Sequence, residues 1–105
     1  MAHGQKHFFQ VMDEECPSVR KAFFDMVGTL GKDGGLDEKT FQLVYIGIKA
    51  ADGEVGSVAA HSAMAKAAGA TREEVRGAVL VSLMTNGVTG VAACLGAALD
   101  SYDNA

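Results

Sequence analysis

The side chains best suited to chemistry lie in the segment Glu54-Val55-Gly56-Ser57-Val58-Ala59-Ala60-His61, where Glu54, Ser57 and His61 recur at i, i+3 and i+7. On a helix that spacing places a carboxylate, a hydroxyl and an imidazole along one side. Histidine titrates near neutrality and a neighbouring carboxylate biases its charge, so Glu54 and His61 could divide acid and base roles in a shared pocket. Structural readings stand beside the chemical one. Glu54 is a first-turn acid of the kind the helix dipole favours, and Ser57 is a small packing residue. His61, among Val58, Ala60, Ala65 and Ala68, fits a hydrogen-bonded core or interface histidine equally well.

The remaining reactive residue types offer less. Cys16 stands beside Glu14 and Glu15, which disfavour a thiolate, and Cys94 lies in an apolar stretch where a thiol is typically a small packing residue. Neither cysteine belongs to a CxxC or metal-type spacing, so a reducing, cytoplasmic setting is expected. His3 and His7 stand at i, i+4 without a cysteine or acidic ligand close in sequence, and read as an incidental pair rather than a metal site. No metal or cofactor is expected.

The elements that must position His61 read as helices. Apolar residues from Gln5 to Glu15 form a short first helix that Pro17 helps to end. From Ser18, the residues Val19, Ala22, Phe23, Met26, Val27 and Leu30 form an amphipathic stripe that Gly31 and the Gly34-Gly35 pair close. Asp37 is a candidate N-cap for a third helix with apolar residues on two faces, Phe41, Val44, Tyr45 and Ile48 on one and Leu43 and Ile46 on another, which predicts deep burial. A fourth helix spans about Glu54 to Ala68 and ends at Gly69, and Thr71-Arg72-Glu73-Glu74 is a capping box that starts a fifth. After Gly87 a sixth carries Val91, Leu95, Ala98, Leu99 and Tyr102, with the small residues Gly90, Cys94 and Ala97 opposite. The expected fold is an all-α bundle of about six helices in a single domain over 1–105, with a core over about 20–102 and an N-terminal helical arm over 1–17.

Composition narrows the function classes. Of the 105 residues 49% are hydrophobic and only 21% charged, an apolar balance that favours a homo-oligomer. The net charge of −4 and the scattered lysines and arginines exclude a basic field for nucleic acid or anionic membrane. No charge falls between Arg76 and Asp100, but Thr85-Asn86-Gly87 and Thr89-Gly90 interrupt the run, so it reads as two buried helices rather than a membrane span. The N-terminal residues lack both a signal-peptide core and an Arg-rich transit pattern, and no export is expected.

The segments Leu36 to Leu43, Gly53 to His61 and Ala68 to Val75, followed by Asn86 to Ala93, resemble in order and spacing the carboxymuconolactone decarboxylase and alkylhydroperoxidase D-like family over roughly residues 20 to 102. The resemblance implies an all-helical homotrimer or homohexamer with its site near subunit contacts. Redox members carry CxxCxxxH preceded by a glutamate on the earlier helix. Here Glu54 and Ser57 occupy the two cysteine slots and Gln42 the glutamate slot, so His61 alone carries over. A serine forms no disulfide and a glutamate is no thiolate, which rules out the dithiol cycle.

The decarboxylase branch, which lacks the cysteine pair and keeps the histidine, is the closer analogue. It implies proton transfer by His61 on a small carboxylated lactone or organic acid, Glu54 tuning the histidine and Gln42 or Ser57 hydrogen-bonding substrate. A carboxylated substrate also calls for a cation, for which Lys49, Arg72 and Arg76 are candidates. A non-catalytic oligomeric binding or scaffold protein with the same fold, and a peroxidase-related protein without dithiol activity, are the alternatives.

Overall fold

The computed structural model describes residues 3–105, and among them it contains six α-helices and no strand: α1 (Phe8–Glu15), α2 (Pro17–Asp33), α3 (Glu38–Ala51), α4 (Val55–Ala67), α5 (Arg72–Asn86) and α6 (Val88–Asn104). They fall into two compact units, the first ending at Gly35 and the second running Leu36–Ala105. No described helix is long and apolar enough to cross a membrane.

In the first unit, α1 starts at Phe8 rather than Gln5 because His7 is its N-cap and accepts a hydrogen bond from the Phe9 amide through Nδ1. Pro17, expected to end the first helix, is also the first residue of the second, where a missing N–H costs nothing. Gly31 does not end α2, which continues to Asp33, and the Gly34 amide closes the last turn on the Leu30 carbonyl. A single glycine inside a helix weakens it without breaking it. Phe9, Phe23 and Phe24 pack with one another, and the Arg20 guanidinium lies 4.8 Å from the Phe24 ring centre. Neither α1 nor α2 contains a buried residue.

In the second unit, α3 packs against α4, α5 and α6. Its buried stripe is Gln42, Ile46 and Ala50, joined in the core by Val58 and Ala65 of α4, Val75 and Val79 of α5, and Cys94 and Ala98 of α6. This corrects the expected burial of α3 on both apolar faces. Val44 and Ile48 are 45% and 60% exposed, because the deep contacts of α3 are made by the stripe one residue step away. On α6 the buried stripe is Gly90, Cys94 and Ala98, so Ala98 from the expected larger-residue face is buried and Ala97 is only half-buried, while Leu95 and Tyr102 pack around its edge.

Small residues set how closely these helices approach. A Cβ on Gly90 would collide with the Ala50 carbonyl oxygen, and one on Gly47 would stand 3.1 Å from the Ala78 oxygen. The caps are local: Asp37 accepts from the Thr40 amide at 2.7 Å, and Thr71 and Glu74 form the reciprocal capping box. Gly69 and Gly87, with φ of 96° and 79°, take the left-handed turns between helices. The carboxyl-terminal end of α6 is pinned by Tyr102 Oη donating to the Ala70 carbonyl at 2.8 Å and by the Arg72–Asp103 ion pair.

Gly90→Ala is expected to lower unfolding free energy by about 1–3 kcal/mol, since α6 must move off the Ala50 carbonyl. Gly96→Ala, on the same helix with open space at the Cβ position, should be neutral or stabilising by up to about 1 kcal/mol. Urea midpoints of the two variants test the difference.

Candidate functional site

The Asp37 cap fixes where α3 begins and makes Glu38 its first residue. Glu38, Gln42, Tyr45 and Lys49 then follow at i, i+4, i+7 and i+11, a single stripe along the helix. Helix α4 packs against α3 and sets His61 on that stripe. The His61 Nδ1 lies 2.7 Å from Gln42 Oε1, and Gln42 Nε2 donates to Glu38 Oε1 at 3.0 Å. The Tyr45 ring stacks on the imidazole with 3.6 Å between ring centres and 19° between planes.

Because Gln42 presents its carbonyl oxygen to Nδ1, that ring nitrogen is the donor. In the neutral ring the lone pair therefore sits on Nε2, which makes no hydrogen bond among the described residues. Burial pushes the His61 pKa below its ordinary 6.5; the Glu38 carboxylate pulls upward and the Lys49 ammonium pushes downward, and the net result is a lowered value. The ring is neutral at pH 7. Gln42 is 6% exposed, whereas His61 is half-buried.

Of the residues singled out in the sequence, the fold brings Gln42 and His61 into direct contact and leaves Glu54 and Ser57 out of it. Glu54 is not the first residue of α4 but its N-cap, at φ −84° and ψ 82°. Its exposed side chain makes no hydrogen bond among the described residues, and its field falls on Cys94. Ser57 is half-buried on α4 without a side-chain hydrogen bond among the described residues. Glu38, which the sequence reading did not single out, is the far end of the histidine's hydrogen-bond chain, and Tyr45, placed there on an apolar face, is its stacking partner. The signal for Glu38 was present in its i, i+4 spacing to Gln42.

Among the candidate cations, Arg72 is committed to Asp103 at 2.8 Å. Lys49 is half-buried, has no ion-pair partner among the described residues, and is close enough for its charge to be felt at His61. The Cys94 thiol is fully buried, and burial together with the Glu54 carboxylate pushes its pKa up, away from thiolate chemistry. His3, with His7 employed as a cap, donates from Nε2 to the Glu15 carboxylate at 3.0 Å. No group of three metal-ligating side chains occurs among the described residues.

A groove of ≈690 Å³ runs between α3 and α5, with Leu43, Val44, Ile48, Ala78, Val81 and Ser82 among its lining residues. It uses a different face of α3 from the stripe that holds His61, and His61 does not line it.

The carboxymuconolactone decarboxylase family model matches residues 17–100. The chain belongs to this family. No curated protein and no solved structure matches it. Membership agrees with the all-helical fold, and in this carboxymuconolactone decarboxylase family chain the histidine is held by the Gln42 amide.

A histidine whose folded pKa lies below 6.5 binds protons more readily when unfolded, so its contribution to stability is complete above 6.5 and is lost as pH falls through the lower folded value. The stability difference between wild type and His61→Gln is therefore expected to shrink between about pH 7.5 and pH 5. Urea unfolding across that range measures it, and a difference independent of pH would contradict the lowered value.

Proposed function

We propose that the protein performs acid/base catalysis with His61 on a small carboxylated lactone or organic acid, in the manner of a decarboxylase rather than a peroxidase. The observation that carries this reading is the half-buried imidazole held through Nδ1 by Gln42 and leaving Nε2 as an unengaged base. A neutral Nε2 can take a proton from substrate. Once protonated from solvent, it can deliver a proton to the carbon that keeps the electron pair when CO₂ departs, since loss of CO₂ from a carboxylate consumes one proton. Lys49 supplies the positive charge that a substrate carboxylate needs close to the histidine. In this reading Glu54 and Ser57, at the N-terminal end of α4, contact substrate. The positions that would hold a redox pair are a carboxylate and a hydroxyl, which supports a reaction without a thiol.

A second reading, an oligomeric binding or scaffold protein, is favoured by the groove between α3 and α5, which lies away from His61. Both readings include self-association as a homotrimer or homohexamer. Its support is the unburied apolar stripe of α2, where Val19, Phe23, Met26 and Leu30 are between 43% and 56% exposed.

Turnover of a panel of carboxylated lactones and small organic acids, followed by CO₂ release, is expected in wild type and should fall by about 10²-fold or more in His61→Ala. Equal rates in the two would remove His61 from the mechanism, and absence of turnover in both would favour the scaffold. Dithiol-dependent peroxide consumption should stay at background, and robust turnover there would return Cys16 or Cys94 to consideration. Light scattering coupled to size-exclusion chromatography should give the mass of three or six chains, and a monomer at micromolar concentration would overturn the assembly proposal.

A further inference from the structure

We infer that Glu38 is a positioning residue for His61: acting through the Gln42 side-chain amide, its carboxylate holds the imidazole in the Nδ1–H form and so keeps Nε2 as the basic nitrogen. The functional half of this inference rests on the acid/base reading of His61, while the structural half stands on geometry alone.

A glutamine amide can present either its carbonyl or its NH₂ group to a neutral histidine, because the ring answers by changing tautomer. Gln42 facing His61 by itself would therefore leave open which nitrogen is protonated. Glu38 removes the ambiguity. An ionised carboxylate only accepts hydrogen bonds, and Glu38 Oε1 lies 3.0 Å from the outer end of the amide. With the NH₂ group turned to Glu38, the carbonyl must face His61, 2.7 Å from Nδ1. The reverse orientation would set a carbonyl oxygen against a carboxylate oxygen and forfeit a charge-assisted hydrogen bond.

The local fold makes this arrangement inexpensive. Glu38 is in the first turn of α3, where the helix N-terminus favours its charge, and Asp37, not Glu38, caps the helix. Gln42 is one turn further in and almost fully buried, so its amide has few other partners to choose from. Tyr45, stacked on the ring, restricts rotation of the imidazole.

The same chemistry limits what Glu38 does. An amide neither gains nor loses a proton near neutral pH, so no proton passes from His61 to Glu38 along this chain. Glu38 orients the ring and raises its basicity through its field, and the proton taken up at Nε2 must leave from Nε2. This division of labour differs from a carboxylate placed directly on the ring at the position of Gln42. There, orientation and charge would come from one group.

The test is the ¹⁵N spectrum of the histidine rings in the full-length protein above the His61 titration. Wild type should show a protonated Nδ1 and an unprotonated Nε2 on His61. In Glu38→Gln and Glu38→Ala the ring should become a mixture of tautomers, because either amide orientation is then allowed. Glu73→Gln, which removes a first-turn acid from α5 instead, should leave the His61 signals unchanged and controls for general loss of helix stability. On a substrate that wild type turns over, Glu38→Gln should lower kcat by roughly 10- to 100-fold with KM within about twofold, as expected for a group that acts through the base. An Nε2–H ring in wild type, or an unchanged single tautomer in both Glu38 variants, would overturn the inference. A fixed Nδ1–H ring in a protein without turnover would support the structural assignment and remove the catalytic reading.

Discussion

The closeness with which α6 and α5 approach α3 is the constraint on which the second unit depends. Gly90 lies against the Ala50 carbonyl and Gly47 lies near the Ala78 carbonyl, and no side chain larger than hydrogen fits the first position without moving a helix. With backbones this close, the core is filled by small and medium side chains: the largest fully buried ones are Ile46, Val58, Val75 and Val79, and none is aromatic. Dense packing of this kind fixes the rotation of α3 about its own axis. That rotation buries Gln42 against the imidazole of α4, stacks Tyr45 on its ring and sets Glu38 behind the Gln42 amide.

A buried glutamine is costly unless its amide is satisfied at both ends. Here the fold supplies a carboxylate on one side and an imidazole on the other, so the polar pair closes instead of opening a hole in the core. The histidine retained from the family pattern thus sits in a setting that differs from the redox arrangement in kind. Its pKa is depressed by burial, it is neutral at physiological pH, and it is without a thiol neighbour in the 54–61 segment.

The two apolar features outside this site have the same physical origin. The first unit buries none of its α1 or α2 residues, and the exposed faces of α3 and α5 form a groove with Val44, Ile48 and Val81. Both are what a chain with 49% hydrophobic residues and no large core leaves on its surface. This exposed apolar area is the observation on which the proposal of self-association rests.

The sequence by itself determined the helical fold, because its signals are local. The Asp37 cap, the Thr71–Glu74 capping box and the turns at Gly69 and Gly87 each act within four residues, and all are found where the pattern placed them. Family membership was equally legible, since order and spacing survive substitution of the redox residues. Helix ends shifted where one local hydrogen bond decided them, as at His7 and at Gly34. Glu54 moved from first helical residue to N-cap, and the hydrogen-bond partner of His61 is Gln42 instead. Only the tertiary structure could pair His61 with Gln42, nineteen positions away, or give Glu38 and Tyr45 their places beside it. Periodicity along one helix states which residues share a face. It does not state which face of the next helix they meet, because that depends on the rotation set by close contacts at Gly47 and Gly90.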